Sequence, residues 1–210
     1  MVSDYLRQDD LPAKIGQLAD STRSLTLRVI QRSPLDGKHD CQPGCAFCCH
    51  TAVTVAPPEA LRIAQYLREH CTDEVLAELG CRLEENAALA SSMTRDEYIA
   101  RNIPCALLTD DGNCRVHAVR PIACAGFLST SRSGCEAEFK HLANREPVPT
   151  DKFAMLAGLG VSHGLKDACR NANLDGEFYE LHHALQRALD GVDGAGKWAR
   201  GETFLEGCLR

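Results

Sequence analysis

The chain has 210 residues, of which 44% are apolar and 25% charged, a composition typical of globular proteins and unlike that of disordered chains. A net charge of −6 and a pI near 5.7 argue against a nucleic-acid partner, because nucleic-acid binders normally carry a basic surface. We therefore expect one domain, residues 1–210, that does not bind nucleic acid.

The chain shows no signal for a membrane or for export. No apolar run approaches eighteen residues, and the first ten residues contain acidic side chains where a signal peptide needs positive charge. We therefore predict a cytoplasmic protein without a membrane partner. Thiols stay reduced in the cytoplasm, so the twelve cysteines are better explained as metal ligands than as disulfides.

The periodicity of apolar residues predicts a mainly α fold, a helical body with a cysteine-rich metal-binding knot and a short hairpin. Only 5% of the residues are aromatic, which suits a core of aliphatic side chains between helices. The first segment, residues 1–36, is predicted to be an N-terminal helix. Its apolar positions recur at roughly helical spacing: Leu11, Ile15, Leu18, Leu25 and Val29.

Start signals for helices recur further along the chain. Pro57-Pro58-Glu59 and Thr72 are typical of helix beginnings, and Thr94 with Glu97 has the form of a capping box. The remaining predicted elements follow in chain order: a short strand within residues 51–55, extended pieces around a turn at residues 110–113, and helices over 133–145, 150–173 and 177–190. We divide the domain into the N-terminal helix, a metal-binding core at 37–140 and a C-terminal helical part at 141–210.

Four cysteines crowd into nine residues of the predicted core. They are Cys41, Cys45, Cys48 and Cys49. Two cysteines one turn apart can hold one ion, and the intervening Pro43-Gly44 corner lets a short loop direct its thiolates toward a common centre. Cys48 and Cys49 are neighbours whose side chains point apart, so they serve two centres or one of them is a bystander.

Four more cysteines follow downstream, at Cys105, Cys114, Cys124 and Cys135. Cys105 and Cys114 flank the predicted hairpin turn, which would bring them side by side. Together the two sets supply eight thiolates. These would fill two tetrahedral sites, or one four-iron cluster with spare thiols, so the predicted cofactor is an iron–sulfur cluster or iron, or zinc.

This order of cysteines resembles the YkgJ-type cysteine-cluster family, which has a zinc- or iron-chelating CxxCxxCC domain. The resemblance rests on the four-cysteine run, on Cys105 with Leu107, on Cys114, and on Arg120-Pro121-Ile-Ala-Cys124. It implies a protein that binds zinc, iron or an iron–sulfur cluster through these cysteines. The same family resemblance extends to a flagellin lysine N-methylase, which implies a cluster-dependent transferase as an alternative.

Three functional hypotheses stay open at the level of sequence. The first is a metal-binding protein whose knot stabilises the helical body and transfers electrons or metal, with a redox or other protein partner. The second is the transferase, and the third is a structural zinc protein that presents a surface to a protein partner. No catalytic residue is assigned, and whether the chain is an enzyme is left open.

Several other residues are predicted to lie outside the ligand set. His50 and His117 are expected beside the metal centre or on the surface, and His182-His183 on the solvent face of its helix. The cysteines expected to be small buried apolar residues are Cys71, Cys81, Cys169 and Cys208. Glycines 158, 160 and 164 are expected to allow close helix packing.

Overall fold

A computed structural model describes residues 11–140, 148–191 and 193–208 of the chain. Within these ranges the fold is mainly α, as predicted, with nine α-helices and one pair of two-residue strands. The helices are α1 (Leu11–Ile30), α2 (Pro57–His70), α3 (Asp73–Ser92), α4 (Arg95–Ala100), α5 (Ile122–Gly126), α6 (Arg132–Lys140), α7 (Lys152–Asn171), α8 (Leu181–Asp190) and α9 (Gly194–Ala199). The strands are β1 (Thr54–Val55) and β2 (Tyr179–Glu180), and short 3-10 helices span Phe47–His50 and His117–Val119. None of the helices in the described ranges is long and apolar enough to cross a membrane.

The predicted start signals begin helices where expected. Helix α2 starts at Pro57, and the backbone N–H of Ala56 donates to the Glu59 carboxylate at 2.9 Å. At α4 the Thr94 hydroxyl accepts from the Glu97 N–H while the Glu97 carboxylate accepts from the Thr94 N–H. Such side chains supply partners for backbone donors that the first turn of a helix leaves unpaired.

The predicted boundaries need correction at three places. The N-terminal helix ends at Ile30 and not at residue 36, and residues 1–10 lie outside the described ranges. The helix predicted from residue 133 spans Arg132–Lys140, and its predicted continuation from residue 141 also lies outside them. The helix predicted from residue 177 begins only at Leu181, because Tyr179 and Glu180 pair as an antiparallel strand with Val55 and Thr54.

The core lies where α2 and α8 pack together. Helix α8 packs on α2 and α3, and α1 packs on α2 and α7. The fully buried side chains include Ile63 and Leu67 of α2, Leu185 of α8 and Trp198 of α9. One cluster of buried apolar residues contains residues from Ile15 to Leu205. Leu25 was predicted on the apolar face of the first helix, but its side chain is 44% exposed.

Helix α5, which carries Cys124, is held close to α7 by two glycines. A Cβ atom placed on Gly158 would lie only 3.4 Å from the Cα of Gly126. Close packing therefore explains Gly158 as predicted. It does not explain Gly160 or Gly164, where a Cβ would meet nothing within 4 Å.

Candidate metal centre

The first cysteine set lies on a loop that turns sharply at Pro43-Gly44. Gly44 has a φ of 78°, the left-handed region that glycine adopts most easily. The N–H of Cys45 then donates to the carbonyl of Gln42 at 3.0 Å. Cys48 and Cys49 follow on the 3-10 helix Phe47–His50. The turn therefore brings the four cysteines of this loop into one short, folded stretch of chain.

The hairpin of the second cysteine set lies directly against this loop. The N–H of Cys105 donates to the carbonyl of Cys49 at 2.8 Å, and the N–H of Gly44 donates to the Asn113 side-chain oxygen at 3.0 Å. The predicted turn is present, with an isolated bridge between Leu108 and Cys114 at its base. Two segments that are far apart in sequence thus come together, as the sequence predicts.

Cys41 is held by the stretch of chain that follows α5. The N–H of Ser129 points at the Cys41 sulfur, at an N–S distance of 3.3 Å, and the N–H of Asp40 donates to the Ser129 carbonyl at 2.9 Å. Backbone donors of this kind stabilise thiolate ligands and orient them. The exposed thiol of Cys41 therefore already has a donor of the type that a metal-bound thiolate uses.

Four cysteines influence one another electrostatically beneath the loop. Burial raises the pKa of the Cys124 thiol well above its ordinary value, and the thiolates of Cys105, Cys48 and Cys114 raise it further. Burial also raises the pKa of Cys114, and the thiolates of Cys105 and Cys48 raise it further. We call Cys48, Cys105, Cys114 and Cys124 the deep group. Its members come from both cysteine-bearing segments.

A second set of thiols surrounds Cys135 on helix α6. Burial raises the pKa of Cys135, and the thiolates of Cys45, Cys41 and Cys48 raise it as well. We call Cys41, Cys45 and Cys135 the loop group. The same helix is packed on the cysteine loop by Phe139, whose ring centroid is 5.6 Å from that of Phe47.

Cys48, a member of the deep group, also acts on the loop group, and Cys49 is its direct neighbour. A hydrogen bond between the two thiols is the largest cause of a raised pKa at Cys48, followed by burial. Cys48 acts on members of both groups, Cys124 and Cys135. In the part of the chain that the structure describes, no three His, Cys, Asp or Glu side chains form a group that could hold a metal ion as they stand. The ligand set therefore stays a prediction.

One basic side chain reaches the deep group. Arg120 lowers the pKa of Cys48, Cys114 and Cys124, opposing the larger effects of burial and of neighbouring thiols. A fixed positive charge beside several thiolates offsets part of their mutual repulsion. Arg120 belongs to the Arg-Pro-x-x-Cys motif, so the motif provides both a ligand candidate and a charge that favours its thiolate form.

His182 contacts the deep group, and the sequence analysis wrongly predicted that it is exposed. Its side chain is 2% exposed, its Nδ1 lies 2.7 Å from the Glu180 carboxylate, and it hydrogen bonds to Cys105. Burial lowers its pKa, but the hydrogen bonds with Cys105 and Glu180 outweigh burial and raise it to about 9. Helical periodicity gave no signal for this contact, because it depends on strand β2 placing Glu180 beside the imidazole.

Two further histidines, His50 and His39, have structural partners. The Nδ1 of His50 lies 3.0 Å from the Ala46 carbonyl, its ring packs on Phe139, and His117 is exposed. The Nε2 of His39 lies 2.9 Å from the Asp151 carboxylate. The four cysteines predicted not to be ligands differ in burial, since Cys81 is exposed, Cys169 is fully buried, and Cys71 and Cys208 are half-buried.

These features define a helical protein with a thiol-rich knot built from two chain segments. A family model described as "putative zinc- or iron-chelating domain" matches residues 40–145, just over half of the chain. The chain belongs to this family, the CxxCxxCC family, as the cysteine pattern predicts. Comparison with curated proteins and with solved structures finds no match. The family supports metal binding in general and leaves the metal as zinc or iron.

Proposed function

We propose that this chain binds two neighbouring metal ions, zinc or iron, through its eight clustered cysteines. Three ligands of one centre are Cys105, Cys114 and Cys124, and three ligands of the other are Cys41, Cys45 and Cys135. Cys48 and Cys49 each complete one centre. The observation that carries the proposal is that the cysteine loop contacts both the hairpin, where the Cys105 N–H donates to the Cys49 carbonyl, and helix α6, where Phe139 packs on Phe47.

The donor chemistry fits these metals. Thiolates are soft ligands that select zinc and iron–sulfur centres over the harder ions magnesium and calcium. Four thiolates complete a tetrahedral site for either metal. The thiols of Cys48 and Cys49 are hydrogen-bonded to each other, so the two proposed centres would adjoin at this pair.

The main role that we assign to the metals is structural: they attach the cysteine-rich knot to the helical body. The cysteine loop has no fully buried residue from Gly37 to His50, so burial of apolar surface contributes little to its position. Bound metal would supply cross-links between the loop, the hairpin, α5 and α6. Redox chemistry or group transfer at an iron centre would be additional to this role and would require iron in the protein as isolated.

The test is a panel of single substitutions scored by metal content. Cys45→Ser and Cys124→Ser each remove a ligand from a different proposed centre, and Cys81→Ser is the matched control because Cys81 is exposed on α3. We expect each of the first two variants to lose about half of the wild-type metal, and the control to lose none. Metal is measured per folded chain by elemental analysis after gel filtration.

Two results would contradict the proposal. Unchanged metal content in Cys45→Ser would remove the loop from the ligand set. Complete loss in both variants would indicate one shared centre in place of two. The metal found distinguishes the accompanying roles, since colourless zinc protein favours a purely structural centre and a coloured iron protein favours redox or transferase chemistry. Acid-labile sulfide would indicate a cluster in place of two separate ions.

A further inference from the structure

A small cleft between α1, α2 and the start of α5 is lined by three arginines. They are Arg23 of α1, Arg62 of α2 and Arg120, and the other lining residues include Asp20 and Glu59. The cavity volume is about 10 Å³, of the order needed for one water molecule. Three guanidinium groups around so small a space repel one another unless a negative charge joins them.

The arginines keep unused donors at this cleft. In the described part of the chain, four buried side-chain nitrogen or oxygen atoms have no hydrogen-bond partner, and three of them are Arg23 Nε, Arg62 Nη1 and Arg120 Nε. Buried donors without partners cost free energy and are rare in folded proteins. Their concentration on one cleft points to a missing acceptor there.

The acidic residues of the cleft do not supply that acceptor. Asp20 accepts from Arg62 Nε at 3.0 Å, and the Glu69 carboxylate lies 3.9 Å from Nη1, too far for a hydrogen bond, so Nη1 keeps an unused donor. The two carboxylate oxygens of Glu59 accept from the backbone N–H groups of Ala56 and Ile122, at 2.9 and 2.8 Å. The cleft therefore retains buried hydrogen-bond donors that the neighbouring carboxylates do not use.

We propose that this cleft binds the head group of a small oxyanion, a phosphate or a carboxylate, between Arg23, Arg62 and Arg120. Guanidinium groups match the geometry of such anions, because their planar N–H donors form paired hydrogen bonds with two oxygens. The small cavity admits one or two oxygens of the head group, and the rest of the ligand extends into solvent. This site does not depend on the proposed metal centres.

The cleft nevertheless adjoins the cysteines through Arg120. That arginine acts on Arg23 on one side and on Cys48, Cys114 and Cys124 on the other. An anion bound at the cleft would therefore lie close to the deep group. Arg120 is unsuitable as the test residue for this reason, since its loss would alter the cysteines as well.

The test is calorimetric titration of the purified full chain with potassium phosphate and, separately, with potassium acetate, at an ionic strength held constant with potassium chloride. Arg23→Gln and Arg62→Gln remove charge from the cleft. Arg28→Gln is the matched control, because Arg28 is exposed on the same helix as Arg23. Circular dichroism and thermal unfolding verify that each variant is folded, and either glutamine variant alone suffices if the other fails to fold.

We expect one anion per chain, bound at least about tenfold more weakly in each glutamine variant and unchanged in Arg28→Gln. Saturation by phosphate but not acetate would identify a phosphate site, and the reverse a carboxylate site. Absence of saturable binding for both anions would overturn the proposal. Equal weakening in Arg28→Gln would also overturn it, because it would show attraction by general surface charge alone.

Discussion

The helical body and the cysteine knot are held together by different forces. In the body, α2, α8 and α9 bury large apolar side chains completely, among them Ile63, Leu185 and Trp198. The cysteine loop buries none of its residues fully between Gly37 and His50. It is attached instead by single hydrogen bonds, such as those of Cys49 to Cys105 and Gly44 to Asn113.

This difference indicates which part of the molecule needs a metal. Burial of a large apolar side chain contributes about 1.5–3 kcal/mol, whereas one hydrogen bond contributes about 1 kcal/mol net. The body, including the hairpin that buries Leu107 and Val116, is therefore stabilised by apolar burial, and the cysteine loop is not. We infer that metal binding supplies the stabilisation that apolar burial supplies elsewhere.

Metal removal gives the largest expected difference between the two regions. After chelation under reducing conditions, we expect amide protection to be lost over residues 40–50. Helices α2 and α8, and the hairpin that buries Leu107 and Val116 in the same core, remain protected. The physical reason is that metal-binding free energy is also folding free energy for a site that loops assemble, about 10 kcal/mol or more in small zinc domains. Hydrogen–deuterium exchange measures both regions at once. Loss of protection in α2 and α8 equal to that in the cysteine loop would contradict the claim that only the loop depends on metal.

The next effect concerns the body alone. Trp198→Ala removes a fully buried side chain and the indole donor that pairs with the Asp175 carbonyl at 2.6 Å. We expect a loss of about 3–5 kcal/mol in the free energy of unfolding, measured with urea, and unchanged metal content per folded chain. Leu156→Ala, where the side chain is 62% exposed, is the control and should change stability by less than about 0.5 kcal/mol. A selective loss of metal in Trp198→Ala would show that the two regions are not independent.

Asp151 joins the two regions at their border. Its carboxylate accepts from the Ser33 hydroxyl at 2.6 Å and lies 2.9 Å from His39 Nε2, and it caps α7 through the Ala154 N–H. We expect Asp151→Ala to cost about 2 kcal/mol, from the lost cap and the unpaired Ser33 and His39. Asp151→Asn retains a capping oxygen and should cost less, as urea unfolding would show. Equal losses would contradict a contribution from the capping oxygen and would assign the whole effect to the carboxylate charge.

The pKa of the Asp151 carboxylate predicts how the stability of the protein depends on pH. Burial raises the pKa of Asp151, but hydrogen bonds from Ser33, Ala154 and His39 outweigh burial and lower it to about 2, from an ordinary value of 3.8. Because the folded pKa is the lower one, this contribution is present above pH 3.8 and is lost as pH falls toward 2. The difference in the free energy of unfolding between wild type and Asp151→Ala should therefore decrease over that range. A constant difference would contradict the lowered pKa of Asp151 in the folded protein.

The smallest expected effect is at the contact between loop and hairpin. Asn113→Ala removes the acceptor for the Gly44 N–H, and because the site is largely solvated we expect a loss of at most about 1 kcal/mol with metal content unchanged. Asn113→Asp keeps an oxygen at that position and is the control. A large loss of metal in Asn113→Ala but not in the control would mean that this hydrogen bond, more than the metal, positions the loop.

The predictable features are those encoded over a few residues. Thr94 and Glu97 are three positions apart, so their reciprocal hydrogen bonds can be predicted from the sequence. The turn that brings Cys105 toward Cys114 can be predicted in the same way. The pairing of β1 with β2 cannot be predicted from the sequence, because Val55 and Tyr179 are far apart along the chain and each strand has only two residues. The burial of His182 beside Cys105 follows from that pairing and was missed with it.

The spacing of the cysteines in the sequence also could not predict their division into two groups. The sequence analysis left one centre and two centres open, since eight thiols satisfy both. Only the tertiary fold places α6 beside the loop, so that Cys135 acts with Cys41 and Cys45. Helix packing between distant segments decides such groupings, and the packing of Phe139 on Phe47 is part of it.

The most direct test of the metal-binding account is analysis of metal and acid-labile sulfide, with a visible spectrum, on wild-type protein purified without oxygen or added metal. The account predicts about two metal equivalents per chain, either as zinc in a colourless sample or as iron in a coloured one. A folded chain that contains no metal, takes up neither zinc nor iron, and leaves the exposed thiols of Cys41 and Cys48 reactive toward a thiol reagent would contradict it.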